Sequence, residues 1–251
     1  AAGHFLKEER KSFRREAVEE KHAHDYVSYV DKESEKRVVA ALKALLPEAG
    51  FIVEEGSAVY RDEPYCWVID PLDGTTNYIH DEAPYCVCIA LRSRTELLLG
   101  VVYEVCRDEC FCAWRGGKAF MNGEEIHVSG VRDIKDAFVF AELPYNAQQY
   151  KQTALHLIDK LYGVVGGIRM NGSAAAAICY VAMGRFDAWA EAFLGKWDYS
   201  AAALIVQEAG GRVTDFCGNG HFMDGHHIIA TNGYLHSVYQ QLIAEVPPLD
   251  M

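Results

Sequence analysis

The sequence predicts a mixed α/β (α+β) protein, and three observations support this fold class. Two helical segments at the start precede a run of short segments rich in β-branched and aromatic residues. In the second half, helical and strand-like segments alternate, which is typical of a mixed or parallel sheet with crossover helices. No internal repeat, low-complexity tract or flexible linker interrupts the 251 residues. We therefore expect one unit over 1–251, with helices and an antiparallel sheet in 1–142 and alternating elements in 143–251.

The first two elements are expected to be helices over 5–20 and 32–46. Asp31 stands at the N-cap position of the second helix, and Pro47 and Gly50 end it. The apolar residues of this helix fall on one stripe, which comprises Val38, Val39, Leu42, Leu45 and Leu46. The stripe predicts one buried face.

A series of strands is expected next, because Val, Ile, Leu and aromatic residues dominate each segment. The predicted strands are 51–53, 65–70, 86–93, 96–105, 109–114 and 137–142. The segments from 86 to 114 form an antiparallel meander. Gly-Gly at 116–117 and Asn-Gly at 122–123 mark hairpin turns, with a short segment over 118–121 between them.

The second half supplies the alternation. Helices are expected over 147–161, 172–183, 197–209 and 234–244. Strands are expected over 163–169, 186–191, 212–214 and 227–230. This order predicts crossover helices that pack on a sheet.

The segment 67–77, Trp-Val-Ile-Asp-Pro-Leu-Asp-Gly-Thr-Thr-Asn, carries the most chemical information. A buried strand is expected to end at Asp70, because Pro71 cannot donate to a further ladder. Gly74 allows a tight turn, so that Asp70 and Asp73 converge on one side. Hard cations such as Mg²⁺ take carboxylate oxygens, and the free amides at the following helix start attract phosphate. The segment therefore predicts metal-assisted phosphoryl chemistry.

An acidic β-turn is the alternative interpretation, since Asp-Pro and Asp-Gly are common in turns. A second acidic pair, Glu54-Glu55, directly follows the strand predicted over 51–53. Two strands that end in carboxylates favour a shared cation site, because like charges gathered without a metal repel each other.

At these residues the chain resembles the inositol monophosphatase family of Mg²⁺-dependent, lithium-sensitive phosphatases. The first family signature is matched throughout 70–77. The further matching segments are Trp-Asp-Tyr-Ser-Ala-Ala-Ala at 197–203, Glu-Ala-Gly-Gly at 208–211, Gly-Ser-Ala-Ala at 172–175 and Asp-Ala-Trp-Ala-Glu at 187–191. The resemblance runs from about residue 5 to about residue 243. It implies a five-layer αβαβα sandwich of the inositol monophosphatase and fructose-1,6-bisphosphatase type.

The resemblance also implies two to three Mg²⁺ ions, for which Mn²⁺ can substitute. Glu54, Asp70 and the Leu72 carbonyl match ligands of a first ion. Asp70, Asp73 and Asp198 match ligands of a second, with Asp70 bridging. A third ion would use Glu54 again, mostly through water.

Catalytic and substrate-binding roles follow from the same resemblance. Thr75 and Asp31 match the pair that orients the attacking water together with Glu54. The amides of Gly74 and Thr75 match the phosphate cradle. The residues that match groups around the leaving alcohol are Asp73, Ala174, Glu191 and Asp198.

Two segments depart from the family pattern. Val53 and Gly56 flank the Glu54-Glu55 pair where the family has a small Gly and a Ser or Thr. The segment 21–25, Lys-His-Ala-His-Asp, replaces a more usual Lys-Ser/Gly-rich loop. The roles of His22 and His24 in this loop stay open.

Structural alternatives exist for several of these residues. Asp31 and Asp198 both stand near predicted helix starts, where an aspartate also serves as a cap. The small residues of 172–175 also suit close helix packing. Glu191 suits a salt bridge across a subunit interface as well as a bond to hydroxyls. The histidines without ligand spacing are expected on the surface or in loops: His22, His24, His226 and His227.

Composition limits the partners. The net charge of −12 disfavours general nucleic-acid binding and anionic membrane surfaces, which demand an excess of Lys and Arg. No apolar stretch reaches the length of about 18 residues that a membrane span needs, and 1–20 lacks a signal-peptide pattern. The eight cysteines show no zinc spacing and are expected to be buried thiols of a cytoplasmic protein. The missing initiator Met suggests that the encoded protein begins upstream.

Three functional hypotheses remain open at this point. The favoured one is Mg²⁺-dependent hydrolysis of myo-inositol monophosphate, or of a similar small polyol phosphate, by a homodimer. The second keeps the chemistry and changes the substrate to 3′-phosphoadenosine phosphate, fructose bisphosphate, histidinol phosphate or NADP. The third is a non-catalytic binding protein with the same fold.

Overall fold

Helices and strands alternate along the chain much as the sequence predicts. The computed structural model describes residues 1–22, 25–145, 147–220 and 222–244. Its helices are α1 Ala2–Arg10, α2 Tyr29–Leu45, α3 Thr75–His80, α4 Ala147–Leu161, α5 Ala174–Ala182, α6 Lys196–Glu208 and α7 His236–Ala244. Its strands are β1 Val18–His22, β2 Asp25–Ser28, β3 Gly50–Val53, β4 Tyr65–Asp73, β5 Cys86–Ser93, β6 Leu97–Glu104, β7 Glu109–Trp114, β8 Ala119–Met121, β9 Glu124–Ile126, β10 Phe138–Ala141, β11 Gly167–Arg169, β12 Ala188–Ala192, β13 Arg212–Thr214 and β14 His227–Thr231.

Two large sheets organise these elements. The first has seven strands in the order β3-β4-β5-β6-β7-β8-β9 and is antiparallel except for the β3–β4 pair. The second has five strands in the order β11-β10-β12-β14-β13, in which β10 is parallel to both of its neighbours. The mixed sheet and its crossover helices are confirmed. Strands β1 and β2 form a separate hairpin.

The elements stack in five layers. Helices α1 and α2 pack on the outer face of the seven-stranded sheet, and α5 and α6 lie between the two sheets. Helices α4 and α7 cover the outer face of the five-stranded sheet. The central layer is possible because α5 and α6 are rich in alanine, and helix α6 approaches β6 at Gly100, where a side chain would meet the Ala201 carbonyl. The predicted αβαβα arrangement is confirmed.

The first predicted helix is wrong beyond Arg10. After α1 the chain makes a 3₁₀ turn over Arg15–Ala17 and enters the β1–β2 hairpin. Helix α2 begins at Tyr29, and its N-cap is Ser28 instead of Asp31. Asp31 takes the third helical position, where its Oδ2 accepts a hydrogen bond from the Ser28 amide at 2.8 Å. This reciprocal pair is a capping box, which the pattern Ser-x-x-Asp at 28–31 encodes.

Strand β4 does not end at Asp70 as predicted, and the difference matters for the site. Asp70 pairs with Cys88 and Asp73 pairs with Cys86, so one extra residue is inserted in β4. Two residues three apart in a regular strand point to opposite faces. The bulge at Pro71 restores both aspartates to one face, because Cys86 and Cys88 share a face of β5.

Smaller differences concern element ends. Strand β11 starts at Gly167 instead of residue 163, because Gly163 has a φ of 81° and belongs to the turn that follows α4. Helix α5 starts at Ala174, after Ser173 caps it. None of the helices in the described part of the chain is long and apolar enough to cross a membrane.

Candidate active site

One cavity collects the sequence-predicted site residues from segments far apart in the chain. All of them except Asp31 line it directly: Glu54, Asp70, Leu72, Asp73, Gly74, Thr75, Ala174, Glu191 and Asp198. Asp31 lies behind Thr75, to which it is hydrogen-bonded. The carboxylates lie near the carboxyl ends of three strands and in the first turn of a helix: Glu54 follows β3, Asp70 and Asp73 belong to β4, Glu191 to β12 and Asp198 to α6. The two sheets therefore contribute to one site.

Backbone amides fix one oxygen of each aspartate. Asp70 Oδ1 accepts a hydrogen bond from the Leu72 amide at 2.9 Å, inside the β4 bulge. Asp73 Oδ2 accepts one from the Ala175 amide at 3.0 Å, and Asp198 Oδ2 accepts one from the Gly195 amide at 2.7 Å. The main chain thus holds one oxygen of each of these carboxylates in place.

The electrostatics of the cavity are unfavourable for carboxylates alone. Burial raises the pKa of Glu54 to about 7, and it raises the pKa of Asp73 to about 6 against hydrogen bonds from Ser173 and the start of α5. The pKa values of Asp70 and Asp198 lie well above the usual range, because both groups are buried and face the Glu54 and Asp73 charges. Divalent cations would relieve this repulsion.

Lys21 supplies the positive charge next to this cluster. Its Nζ lies 3.1 Å from Glu54 Oε1 and also contacts Glu55. Although burial opposes its charge, the two glutamates raise the pKa of Lys21 above its ordinary value. A single ammonium faces several carboxylates, so it compensates only part of their charge.

The donor set fits hard divalent cations. It consists of buried carboxylate oxygens and the Leu72 carbonyl, which are the ligands that Mg²⁺ takes. Within the described ranges, no three side chains of His, Cys, Asp or Glu close around one point by themselves.

Thr75 stands at the first position of α3 and links the cavity to Asp31. Its Oγ1 lies 3.0 Å from Asp31 Oδ1 and 3.0 Å from the Leu72 carbonyl oxygen. Asp31 is fully buried, and burial raises its pKa although Ser28 and Thr75 donate to it. The carboxylate thus accepts the Thr75 hydroxyl proton and fixes the orientation of that hydroxyl. Asp31 combines a capping-box role with a position beside the site, and its catalytic role stays a prediction.

Gly74 is required by the backbone. Its φ of 87° is left-handed, and a Cβ there would lie 2.9 Å from the Pro84 carbonyl oxygen and 3.4 Å from that of Gly172. Only glycine lets the chain turn from β4 into α3 at this point. The residues that open α3, Gly74, Thr75 and Thr76, line the cavity beside Asp73.

The substrate side of the cavity is also acidic. Burial raises the pKa of Glu191 well above its ordinary value, and the charges of Glu142 and Asp198 add to the effect. Burial likewise raises the pKa of Glu142 to about 7. Glu142 Oε1 accepts a hydrogen bond from the Asn171 amide at 3.0 Å and so holds the segment before Ala174. Glu191 lines the cavity, and its two alternatives, a bond to substrate hydroxyls and a salt bridge across a subunit interface, both stay open.

Several lining residues were not found by reasoning from the sequence. They are Asp25, Tyr26, Thr76, Glu142, Leu143, Tyr145, Gly172, Ser173, Phe193 and Leu194. The sequence could have indicated Glu142 as a site residue, since it ends a predicted strand as Asp70 does. It could not have indicated Phe193, because an isolated phenylalanine after a strand resembles any loop residue.

The histidines and cysteines match their expected positions only in part, because four of the eight cysteines are not buried. His24 falls outside the described residues. His226 contacts the Leu194 carbonyl oxygen at 2.7 Å, but His227 belongs to β14 and packs between Tyr150 and Phe216, so its placement on the surface or in a loop is wrong. All eight cysteines are unpaired thiols. Four are buried, whereas Cys106 and Cys217 are exposed.

Comparisons with known proteins agree with this geometry. The model of the inositol monophosphatase family matches residues 1–247. The chain is 41% identical to the Nus factor SuhB of Pseudomonas aeruginosa over 221 residues, which cover 86% of this chain and 82% of the relative. It is 36% identical to an inositol-1-monophosphatase of Mesorhizobium japonicum, covering 83% and 79% of the two chains. The crystal structure of the extragenic suppressor protein SuhB of Bartonella henselae superimposes with a TM-score of 0.91 at 34% identity, covering 97% of this chain and 94% of that one. The chain belongs to the inositol monophosphatase family.

Proposed function

We propose that this protein is a Mg²⁺-dependent phosphoric monoester hydrolase that acts on a small phosphate monoester, with myo-inositol monophosphate as the favoured substrate. The observation that carries the proposal is the meeting of Glu54, Asp70, Asp73 and Asp198 in one cavity beside Thr75. Membership of the family and the printed name of the Mesorhizobium relative support the class of reaction.

The cations would be held by those four carboxylates and the Leu72 carbonyl, with two to three Mg²⁺ ions expected and Mn²⁺ able to substitute. When bound, they would activate water and neutralise the charge of the leaving alkoxide. Lithium sensitivity is expected from the same resemblance.

The protein's own groups would position the reactants. The Thr75 hydroxyl, which donates its proton to Asp31 Oδ1 at 3.0 Å, would accept a hydrogen bond from the attacking water together with Glu54. The amides of Gly74 and Thr75 would bind phosphate oxygens. Positioning and charge neutralisation are what phosphoryl transfer demands, so a protein nucleophile is not required.

The leaving alcohol would face Ala174, Glu191, Asp198 and Asp73. None of the described residues that line the cavity is Lys, Arg or His. A second phosphate on the substrate would therefore meet carboxylates, which disfavours fructose bisphosphate, 3′-phosphoadenosine phosphate and NADP. Histidinol phosphate carries a cation instead and remains the alternative substrate.

Phosphate release from myo-inositol 1-phosphate in Mg²⁺, measured at steady state, tests the proposal. The control is Asp73→Asn, which keeps the shape of the side chain and removes its charge. Activity of the wild type that does not exceed the control would overturn the proposal. A panel with the four alternative esters ranks the substrates.

The role of Thr75 is tested separately. Thr75→Ser keeps the hydroxyl beside Asp31 and should retain most of the activity. Thr75→Val fills the same volume without a hydroxyl and should lower kcat about 10²- to 10⁴-fold. Equal activities of the two variants would remove the hydroxyl from the mechanism.

The second candidate function is that of a Nus factor, since several relatives carry the name Nus factor SuhB. The acidic chain disfavours direct contact with nucleic acid, and the absence of a nucleic-acid partner stays a prediction. A bacterial strain that lacks its own SuhB provides the test. Complementation by both the wild type and Asp73→Asn would support a role independent of hydrolysis, whereas failure of both would contradict the candidate.

The remaining expectations are a homodimer, a cytoplasmic location, no membrane partner and one domain over 1–251. Sedimentation velocity of the purified protein decides the first. A small-molecule ester is the expected partner of the site.

A further inference from the structure

Three large apolar side chains stand at the mouth of the carboxylate cavity, and we call Leu143, Tyr145 and Phe193 the apolar rim. All three line the cavity, yet they are 53%, 48% and 47% exposed, respectively. Exposed apolar groups that gather at one site mark a surface for a ligand, whereas scattered ones need no explanation. The rim continues directly into the acidic cavity.

The topology of the sheet builds this rim. Leu143 and Tyr145 follow β10, and Phe193 follows β12. Strands β10 and β12 are parallel neighbours, so their carboxyl ends emerge side by side. Open α/β sheets bind ligands outside such strand ends.

The backbone of Phe193 is strained. Its φ of 64° lies in the left-handed region, which bulky residues rarely adopt and which costs on the order of 1–3 kcal/mol. Its ring packs against Tyr150, with the ring centroids 5.1 Å apart, and half of it remains open to the cavity mouth. Strain of this kind clusters where a ligand is bound.

Tyr145 closes the other side of the mouth. Its hydroxyl interacts with Thr76 in α3, next to the proposed phosphate cradle. Its side chain is nevertheless about half exposed. An aromatic surface therefore lies close to the phosphate end of the cavity.

The polar part of the same region includes two carboxyl groups and the hydroxyls of Thr76 and Tyr145. Glu142 and Glu191 line the cavity, and no described lining residue carries a positive charge. A leaving group that satisfies both surfaces has hydroxyl donors at its edge and a flat apolar face. Ring alcohols have this shape, because their C–H bonds present a face to an aromatic ring.

We propose that Phe193 determines substrate specificity: together with the apolar rim it packs against the flat face of a ring-shaped leaving alcohol and so favours phosphate monoesters of ring alcohols over those of open-chain alcohols. This inference rests on the proposed phosphatase function. In both cases the oxygen of water bonds to phosphorus, the bond from phosphorus to the alcohol oxygen breaks, and the alcohol leaves with a proton from the water. Only the contact with the carbon skeleton of the alcohol differs.

Four esters test the proposal with Phe193→Gly. Myo-inositol 1-phosphate and cyclohexyl phosphate have ring alcohols, and glycerol 2-phosphate and butan-2-yl phosphate have open-chain alcohols. All four release secondary alkoxides, so the intrinsic difficulty of the reaction is similar. Glycine accepts the positive φ without strain, which keeps the variant folded.

Phe193→Gly should lower kcat/KM about three- to tenfold for the two ring esters and less than twofold for the open-chain esters. Phe193→Tyr keeps an aromatic ring and should retain the wild-type preference. Tyr162→Ala, which removes an 81% exposed ring outside the cavity, is the matched control and should change nothing. Equal losses for all four esters, or no loss, would overturn the proposal.

A binding measurement separates this proposal from the proposed function. Calorimetry in Mg²⁺ compares cyclohexylphosphonate with butan-2-ylphosphonate, neither of which is hydrolysed. If Phe193→Gly binds the cyclohexyl compound more weakly than the wild type does and binds the butan-2-yl compound equally well, the contact between the apolar rim and the ring is supported, even if no ester is hydrolysed. Unchanged binding of both compounds, or no binding of either by the wild type, contradicts it.

Discussion

The Ser173 hydroxyl donates a hydrogen bond to Asp73 Oδ2, across 100 residues of sequence. The Ala175 amide donates to the same oxygen at 3.0 Å, so the first turn of α5 holds this carboxylate. Asp73 belongs to the seven-stranded sheet and Ser173 to the central helical layer. The geometry of a proposed metal ligand is therefore set by the packing of α5 against β4 and β5.

Loss of this hydrogen bond should weaken metal binding. Ser173→Ala leaves Asp73 with one fewer donor, and loss of a partner that orients a ligand typically lowers metal affinity about 10- to 100-fold. Calorimetric titration with Mg²⁺ measures the effect. Ser129→Ala is the matched control, because its hydroxyl also donates to a buried aspartate, Asp187, away from the cavity. Equal Mg²⁺ affinities of the two variants would contradict the prediction.

Gly74→Ala should destabilise the fold and abolish the activity. The new Cβ meets the Pro84 carbonyl oxygen at 2.9 Å in addition to the strain of a φ of 87°. Gly116→Ala is the control, since Gly116 has a φ of 73° and nothing lies within 4 Å of an added Cβ. Gly116→Ala should lower the free energy of unfolding by about 1 kcal/mol, because alanine is strained at a positive φ. Gly74→Ala should lower it by about 1–3 kcal/mol more, because the added Cβ also clashes with a carbonyl oxygen. Urea unfolding of both variants measures this difference, and equal losses would refute the clash.

The sequence predicts the chemistry of the site better than its shape. The types and order of Asp70, Asp73 and Asp198 indicate a cation site, because carboxylates gathered at neighbouring strand and helix ends repel each other unless a cation binds between them. Their common face depends on the bulge at Pro71, which the sequence leaves undefined because proline fits a strand end and a bulge equally. The register of β4 against β5 decides between them.

Local pattern fails where tertiary contacts decide the structure. Residues 11–22 are charged and continue a helical period, yet β1 forms because β2 supplies a partner strand and Lys21 reaches Glu54 and Glu55. Phe193 is similar, since only the parallel pairing of β10 and β12 places it at the cavity mouth. Such residues acquire their function from neighbours that are distant in sequence.

Removal of one buried charge should stabilise the metal-free protein. Burial and the charges of Glu54, Asp73 and Asp198 raise the pKa of Asp70, so its ionised form is costly without cations. Asp70→Asn keeps an oxygen that accepts from the Leu72 amide. In EDTA the variant should have a higher Tm than the wild type. In excess Mg²⁺ the order of the two Tm values should reverse, because only the wild type binds the ion. A ligand at about 100-fold its Kd adds about 2.7 kcal/mol to the free energy of unfolding.

The control for Asp70→Asn is Asp133→Asn at an exposed aspartate. It should respond to Mg²⁺ as the wild type does. A variant at position 70 that unfolds below the wild type in EDTA would show that Asp70 is stabilising without a cation.

His236 should make the protein less stable in acid. It is fully buried, with its ring nitrogens 2.9 Å from Thr214 Oγ1 and 3.0 Å from Thr231 Oγ1. Burial, with a smaller effect of Arg212, lowers the pKa of His236 from 6.5 to about 4. Because the folded-state pKa lies below the unfolded one, the stabilisation is complete above the unfolded pKa of 6.5 and is lost as the pH falls toward 4.

Comparison of the wild type with His236→Gln isolates the effect of His236 on the free energy of unfolding. The buried carboxylates affect both proteins equally, and their raised pKa values make the fold more stable as the pH falls, opposite to His236. Glutamine has a donor and an acceptor for the two threonines but does not titrate. Between about pH 7 and about pH 5 the wild type should lose about 2 kcal/mol of unfolding free energy relative to the variant. Urea unfolding at the two pH values measures the double difference. The exposed His127→Gln should follow the wild type. If His236→Gln also runs parallel to the wild type, His236 is protonated equally in the folded and unfolded chains, and its two threonine contacts do not exclude the charged ring.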